Sequence, residues 1–136
     1  MRDRLYADTN LFIRYFTNEP PKQAEKARKL FESISKGENE LYVCDLIAAE
    51  IVYVLESVYC LNKKEIADKL LAIVEHENVT IENQAIILEA LELYAEKNLD
   101  FTDAYLAAHA KKAGYEEVCT FDEDFKKLNF IKIHEI

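Results

Sequence analysis

A chain of 136 residues, half of them hydrophobic and 32% charged, with only two Gly and two Pro, excludes a fibrous or disordered polymer and reads as a helix-rich globule. A domain of this length buries roughly two-thirds of the surface its unfolded chain exposes, so one core suffices and a single domain over residues 1–136 is expected. The net charge of -9 argues against nonspecific binding to a phosphate backbone, which clustered Lys and Arg drive by releasing counterions. A nucleic-acid substrate would have to be held by bound cations, a local basic patch or a partner subunit.

Leu5-Tyr6-Ala7 is a short apolar stretch ending at Asp8, and Asn10 to Thr17 follows as a helix stopped by Pro20-Pro21. From Lys22, the residues Ala24, Ala27, Leu30, Phe31 and Ile34 repeat at helical spacing, and Gly37 supplies the stop. Leu41 to Cys44 reads as a second strand, with Asp45 as N-cap of a mostly apolar helix to about Tyr59. Asn62 starts the next helix, whose core face is Ile66, Ala67, Leu70, Leu71 and Val74; Val79-Thr80-Ile81 is a brief strand, and Asn83 to Lys97 is helical. Thr102 is expected to cap an alanine-rich helix that reaches Ala113 and is closed by Gly114. Glu117 to Thr120 then forms a strand running into Asp122, and a last strand is expected at Phe130 to Ile133. Strands separated by long helices imply parallel pairing through right-handed crossovers.

The longest strongly apolar run, Leu46 to Leu55, is broken by Glu50, and Met-Arg-Asp-Arg at the N-terminus has no signal-peptide core. A cytoplasmic location without a membrane partner is expected. Cys44, Cys60 and Cys119 are odd in number and contain no Cys-x-x-Cys pair, so they support neither a disulfide framework nor a thiolate zinc site. His76, His109 and His134 are scattered and suggest no histidine-based nuclease. With Gly only at 37 and 114, neither a Rossmann fingerprint nor a P-loop can be written.

Ligands of an open parallel sheet bind outside the carboxyl ends of its strands. Asp8 directly follows the first strand, Asp122 lies just beyond the strand ending at Thr120, and Asp103 is in the first turn of its helix. Taken alone, Asp8 reads first as a helix cap, and Asp103 equally as a carboxylate complementing the helix dipole. Glu50 is harder to treat as scaffolding, because Leu46 to Ala49 and Ile51 to Leu55 surround it along the helix. There it should be partly buried, and so neutralised, paired with a cation or turned to a cleft; the bland alternative is one wet stripe on a mostly buried helix. Glu56 fits such a stripe better. Four converging carboxylates would need a cation, and an all-oxygen set without His or Cys selects Mg2+ or Mn2+ over zinc.

These residues resemble the PIN-domain nucleases, and within them the VapC-type ribonuclease toxins of toxin-antitoxin systems, over essentially the whole chain. Asp8-Thr9-Asn10 followed by Leu11 to Phe16 is similar to the family's opening strand and helix, and Ala49 to Leu55 to its acid-bearing helix. Asp100-Phe101-Thr102-Asp103-Ala104 and Thr120 to Phe125 are similar to its third and fourth acidic motifs. The resemblance implies a three-layer α/β/α fold around a mainly parallel sheet of four to five strands. It implies that Asp8, Glu50, Asp103 and Asp122 bind one or two Mg2+ or Mn2+ ions, and that RNA is cut to leave a 3'-hydroxyl and a 5'-phosphate.

Asp124 either joins that set through water or only caps the following short helix, at even weight. Thr9, Asn10 and Thr120 are candidates for hydrogen bonds that orient the carboxylates, although turn chemistry explains each nearly as well. Asp100 reads as a cap or solvent-facing acid. The resemblance further implies a homodimer and a small antitoxin whose helix lies in a groove. Phe12, Tyr15, Phe16 and Phe31 are candidates for that groove, with core packing the stronger account of most. Two readings compete: a catalytically silent PIN-like interaction module, against which all four acids stand, and a housekeeping RNA-processing nuclease. A receiver domain would need an acidic pair after the first strand, and a haloacid-dehalogenase phosphatase would need Asp-x-Asp where Asn10 stands.

Overall fold

The structure is a computed structural model that describes residues 2–136. Its chain separates into two units, one ending at Gln84 and one spanning Ala85–Ile136. In the first, β1 (Asp3–Tyr6), β2 (Asn39–Val43) and β3 (Val79–Ile81) form a sheet in that order. Both pairings are parallel, with Leu5 opposite Leu41 and Val43 opposite Ile81. Parallel neighbours require long crossovers. Here these are the helices α1 (Thr9–Thr17) and α2 (Pro21–Ser35) between β1 and β2, and α3 (Asp45–Ser57) and α4 (Lys63–Val74) between β2 and β3.

The alternation of strand residues decides which face is covered. Leu41, Val43, Val79 and Ile81 are buried, while Tyr6 and Thr80 on the opposite face are exposed. Phe12 and Ile13 of α1, Ala24, Ala27 and Ile34 of α2, and Ile51, Val52 and Leu55 of α3 complete the buried set with Ile66, Leu70 and Val74 of α4. The helix boundaries follow local chemistry. Pro21 occupies the first position of α2, where its missing N–H costs nothing. Asn62 caps α4 by accepting from Glu65 N at 2.8 Å.

Asp45 does not cap α3, as the sequence suggested. Cys44 holds the N-cap position and Asp45 is the first helical residue. Its buried carboxylate instead accepts Asn83 N at 3.1 Å and Asn83 Nδ2 at 2.8 Å, and its own N–H donates to Glu82 Oε1 at 3.0 Å. These three hydrogen bonds tie the start of α3 to the turn after β3. An acid that finds donors across a turn has no need of its own helix N–H groups.

In the second unit, α5 (Gln84–Glu96, beginning on the last residue of the first unit) and α6 (Phe101–Ala113) precede β4 (Glu117–Cys119), a short 3-10 helix (Glu123–Lys127) and β5 (Lys132–His134). β4 and β5 are parallel, with Val118 opposite Ile133. The five strands therefore reach the upper expected number, and every pairing is parallel; among the described residues, their hydrogen bonds group them as three and two. β5 starts two residues later than expected, because only the residues facing Glu117–Cys119 enter the ladder. Thr102 is not the cap of α6. Asp100 is, its carbonyl accepting Ala104 N at 2.9 Å, and the buried Phe101 already belongs to the helix. Gly114 closes α6 in the left-handed region (φ 87°), where L side chains are strained. No helix of the described residues is long and apolar enough to cross a membrane.

Replacing Asp45 with Ala leaves the two Asn83 donors without their acceptor, and we expect a loss of about 1–3 kcal/mol in urea unfolding. Asp45→Asn, which keeps one acceptor oxygen, should cost less. A loss within about 0.5 kcal/mol of zero for Asp45→Ala would show that the pair does not brace the junction.

Candidate metal centre

β4 delivers the chain to Thr120, and the backbone then turns through three acids. Thr120 Oγ1 accepts the N–H of Asp122 at 3.0 Å, and Asp122 Oδ1 accepts the N–H of Asp124 at 2.8 Å. Asp122 thereby caps the short 3-10 helix. Asp103 projects from the first turn of α6. One carboxylate oxygen from each of Asp103, Asp122 and Asp124 lies within 4.8 Å of the others.

Three negative charges this close repel one another, by about 3–4 kcal/mol per pair at an effective dielectric of 20. The protein relieves part of that repulsion. Lys127 Nζ approaches Asp124 Oδ1 at 3.4 Å while donating to the carbonyl of Asn98 at 3.0 Å. The half-buried Asp103 carboxyl is pushed up to about 6, first by burial, then by its hydrogen bond with Asp122 and by the charges of Asp122, Asp100 and Asp124. The proton that Asp103 retains does part of what a cation would do better.

The donor set fits a hard divalent cation: oxygen donors only, at least three of them, with no sulfur or imidazole in the group. Asp124 is both inside this group and in the first turn of the 3-10 helix; the cap is Asp122. Asp100 is the backbone cap of α6, without a side-chain capping bond. Sequence reading missed Lys127. Its spacing of three residues from Asp124 on a helical turn is the signal that points to it.

The remaining expected residues belong to the first unit. Asp8 is exposed and caps α1, its Oδ1 accepting Thr9 N at 2.7 Å. Thr9 is only 4% exposed, and its buried hydroxyl has no hydrogen-bond partner among the described residues. A buried orphan hydroxyl beside an exposed carboxylate fits a centre that hydrogen-bonds through water or a ligand. Asn10 lines a shallow depression between α1 and α2 with Arg14, Gln23 and Lys26.

Glu50 corrects the expectation of burial: it is exposed. Leu46, four residues before it, is 74% exposed, and Tyr53, three residues after it, is 69% exposed. These apolar neighbours share its wet stripe, while Ala48, Ile51, Val52 and Leu55 form the buried side. Glu50 thus faces solvent without a desolvation penalty, as a ligand awaiting a partner or an ordinary surface acid both require.

The chain belongs to the PIN-domain family: the model of the PIN domain matches residues 5–131. Among individual relatives, it is similar to the VapC ribonuclease of Aquifex aeolicus (strain VF5), with 32% identity over 123 residues, or 90% of each chain. A looser structural likeness, at a TM-score of 0.40 and 16% identity over 97% of both chains, is to VapBC2 from Rickettsia felis in a crystal structure bound to a DNA fragment from their promoter.

The raised value of Asp103 sets a pH dependence for the protein in chelator. A carboxyl that holds its proton more tightly when folded contributes stability in full below its ordinary value of 3.8, and that contribution is lost as pH rises through about 6. Asp103→Asn should therefore be more stable than the parent at pH 7.5, by on the order of 1 kcal/mol after solvent screening. The two should nearly coincide at pH 4. A gap in urea unfolding that does not change with pH would contradict the retained-proton account.

Proposed function

We propose that this chain is a metal-dependent endoribonuclease, the toxin of a toxin-antitoxin pair, built as one PIN domain over residues 1–136 and acting in the cytoplasm. The observation that carries the reading is the carboxylate group of Asp103, Asp122 and Asp124, with ligand oxygens within 4.8 Å of one another, in a chain 32% identical to a VapC ribonuclease. Its functional acids are Asp8, Glu50, Asp103 and Asp122, the positions that match the family's motifs, with Asp124 as a further ligand. Bound Mg2+ or Mn2+ would supply a Lewis acid for the phosphate oxygens and a more acidic water.

The chain's own residues do the rest. Among the described residues, no cationic side chain pairs directly with Asp103 or Asp122, while Lys127 balances Asp124. Thr120 fixes the backbone of Asp122, and Asp122 fixes that of Asp124, so the carboxylates enter the reaction already oriented. Hydrolysis adds the hydroxyl of water to phosphorus and returns a proton to the departing 3' oxygen, leaving a 3'-hydroxyl and a 5'-phosphate.

A small antitoxin is the partner this reading requires. The first unit has a cleft of about 560 Å³, lined by Tyr15, Phe16, Phe31, Ile34 and Ile73 with Glu65 and Asp68 among its polar residues. The Tyr15 and Phe31 rings stand 4.4 Å apart there. Phe12 is fully buried and belongs to the core instead. An apolar floor edged by Glu65, Asp68 and Lys69 suits an amphipathic helix. Homodimerisation is part of the same proposal.

The test is cleavage of a panel of structured RNAs by the purified protein in Mg2+ or Mn2+. We expect cleavage that stops with chelator and falls at least 100-fold, an order-of-magnitude expectation of about 3 kcal/mol, in Asp8→Asn and Asp122→Asn. Cleavage indifferent to chelator or to both substitutions refutes the metal site, and an inert parent chain favours the interaction module. In the same assay, Ala72→Arg, which intrudes on the cleft from exposed α4, should cleave normally yet escape inhibition by the product of an adjoining small reading frame. Unchanged inhibition would place the antitoxin elsewhere.

A further inference from the structure

Phe121 stands between Thr120 and Asp122 and is 87% exposed, more than any other large hydrophobic side chain among the described residues. A phenyl ring held in water gains nothing for folding, since its burial would contribute about as much as that of any core Phe. Nor does the ring hang on a slack loop. The hydrogen bonds from Asp122 N to Thr120 Oγ1 and from Asp124 N to Asp122 Oδ1 fix the backbone on its C-terminal side, and β4 ends at Cys119 just before it. The exposed ring is thus attached next to the carboxylates of Asp103, Asp122 and Asp124.

Net charge sharpens the question of what such a ring is for. At -9, the chain gains little from phosphate attraction, which supplies most of the affinity of basic nucleic-acid-binding proteins. Besides bound cations, groups that do not depend on charge can supply binding energy. Stacking of a base on an aromatic ring is the strongest of these and is indifferent to base identity. A base in a duplex has both faces covered, so only an unpaired nucleotide can offer one to a protein ring.

We propose that Phe121 is a stacking platform for an unpaired base beside the phosphate handled at the acid group. The inference rests on the nuclease reading for the identity of the ligand, and its own test reads binding alone. A short fluorescein-labelled single-stranded RNA, and the same sequence annealed into a duplex, are titrated with the full chain in Ca2+, and anisotropy is recorded. Phe121→Ala should bind the single strand roughly tenfold more weakly, while Phe121→Tyr, which keeps the ring, should retain the affinity of the parent.

Scanning the RNA with one abasic residue at a time should find a position where the parent loses a similar factor and Phe121→Ala loses no more. The position is too exposed for either substitution to disturb the fold, which coincident thermal melts check. Equal affinity of parent and Phe121→Ala, equal affinity for single strand and duplex, or failure of the parent to bind the single strand overturns the inference. So does a change of oligomeric state in Phe121→Ala, since the ring would then belong to a protein interface. Cleavage that persists with binding indifferent to Phe121 sinks the platform alone; ring-dependent binding without any cleavage sinks the nuclease reading alone.

Discussion

Repulsion among like charges at short range is the constraint around which the second unit is organised. Asp103 arrives from α6, while Asp122 and Asp124 arrive from the turn after β4. Nothing in core packing requires three carboxylates to meet. Their approach is tolerated because Lys127 balances one, Asp103 retains its proton well above the ordinary range, and the backbone N–H of Asp124 donates to Asp122. Each device is partial. A divalent cation would satisfy all three at once, whereas stability alone would favour neutral residues at these positions.

Much of the fold was legible because helix and strand periods are written in the positions of apolar residues. Ile66, Leu70 and Val74 marked α4, Asn62 marked its start, and Gly114 marked the end of α6. The errors came where a side chain answered to a distant partner. Asp45 has the chemistry of a cap, and only the folded chain brings Asn83 within reach of it. Phe130 has the composition of a strand residue, but β5 is delimited by the three residues of β4 that it faces. Local pattern cannot encode the length of a partner.

The acids were chosen for a different reason. Asp8 and Asp122 stand at strand ends, where a parallel sheet concentrates chemistry, Glu50 stood out against its apolar helix neighbours, and Asp103 rested most on the family resemblance. Glu50 shows where the physical argument failed: hydrophobic neighbours were read as a sign of burial, yet Leu46 and Tyr53 are themselves exposed on its stripe. Counting apolar residues around a helix does not reveal which of them face the core. Phe121 drew no attention in the sequence, since only the folded chain shows that the ring is exposed.

If this strongly acidic chain acts on RNA, as proposed, it must replace the missing basic surface with something else. Cations held by carboxylates and aromatic contact with unpaired bases are two such means, and the proposed sites for both lie on the segment from Thr120 to Asp124. The most direct test of the acid group is Mn2+ binding at pH 7, followed by the electron paramagnetic resonance signal of free Mn2+. The parent should bind the ion, and Asp103→Asn and Asp122→Asn should each weaken binding by about tenfold or more, roughly the effect of losing 1.4 kcal/mol, while their circular dichroism stays unchanged. A parent chain that leaves Mn2+ free, or one whose affinity is the same without either carboxylate, would contradict the account.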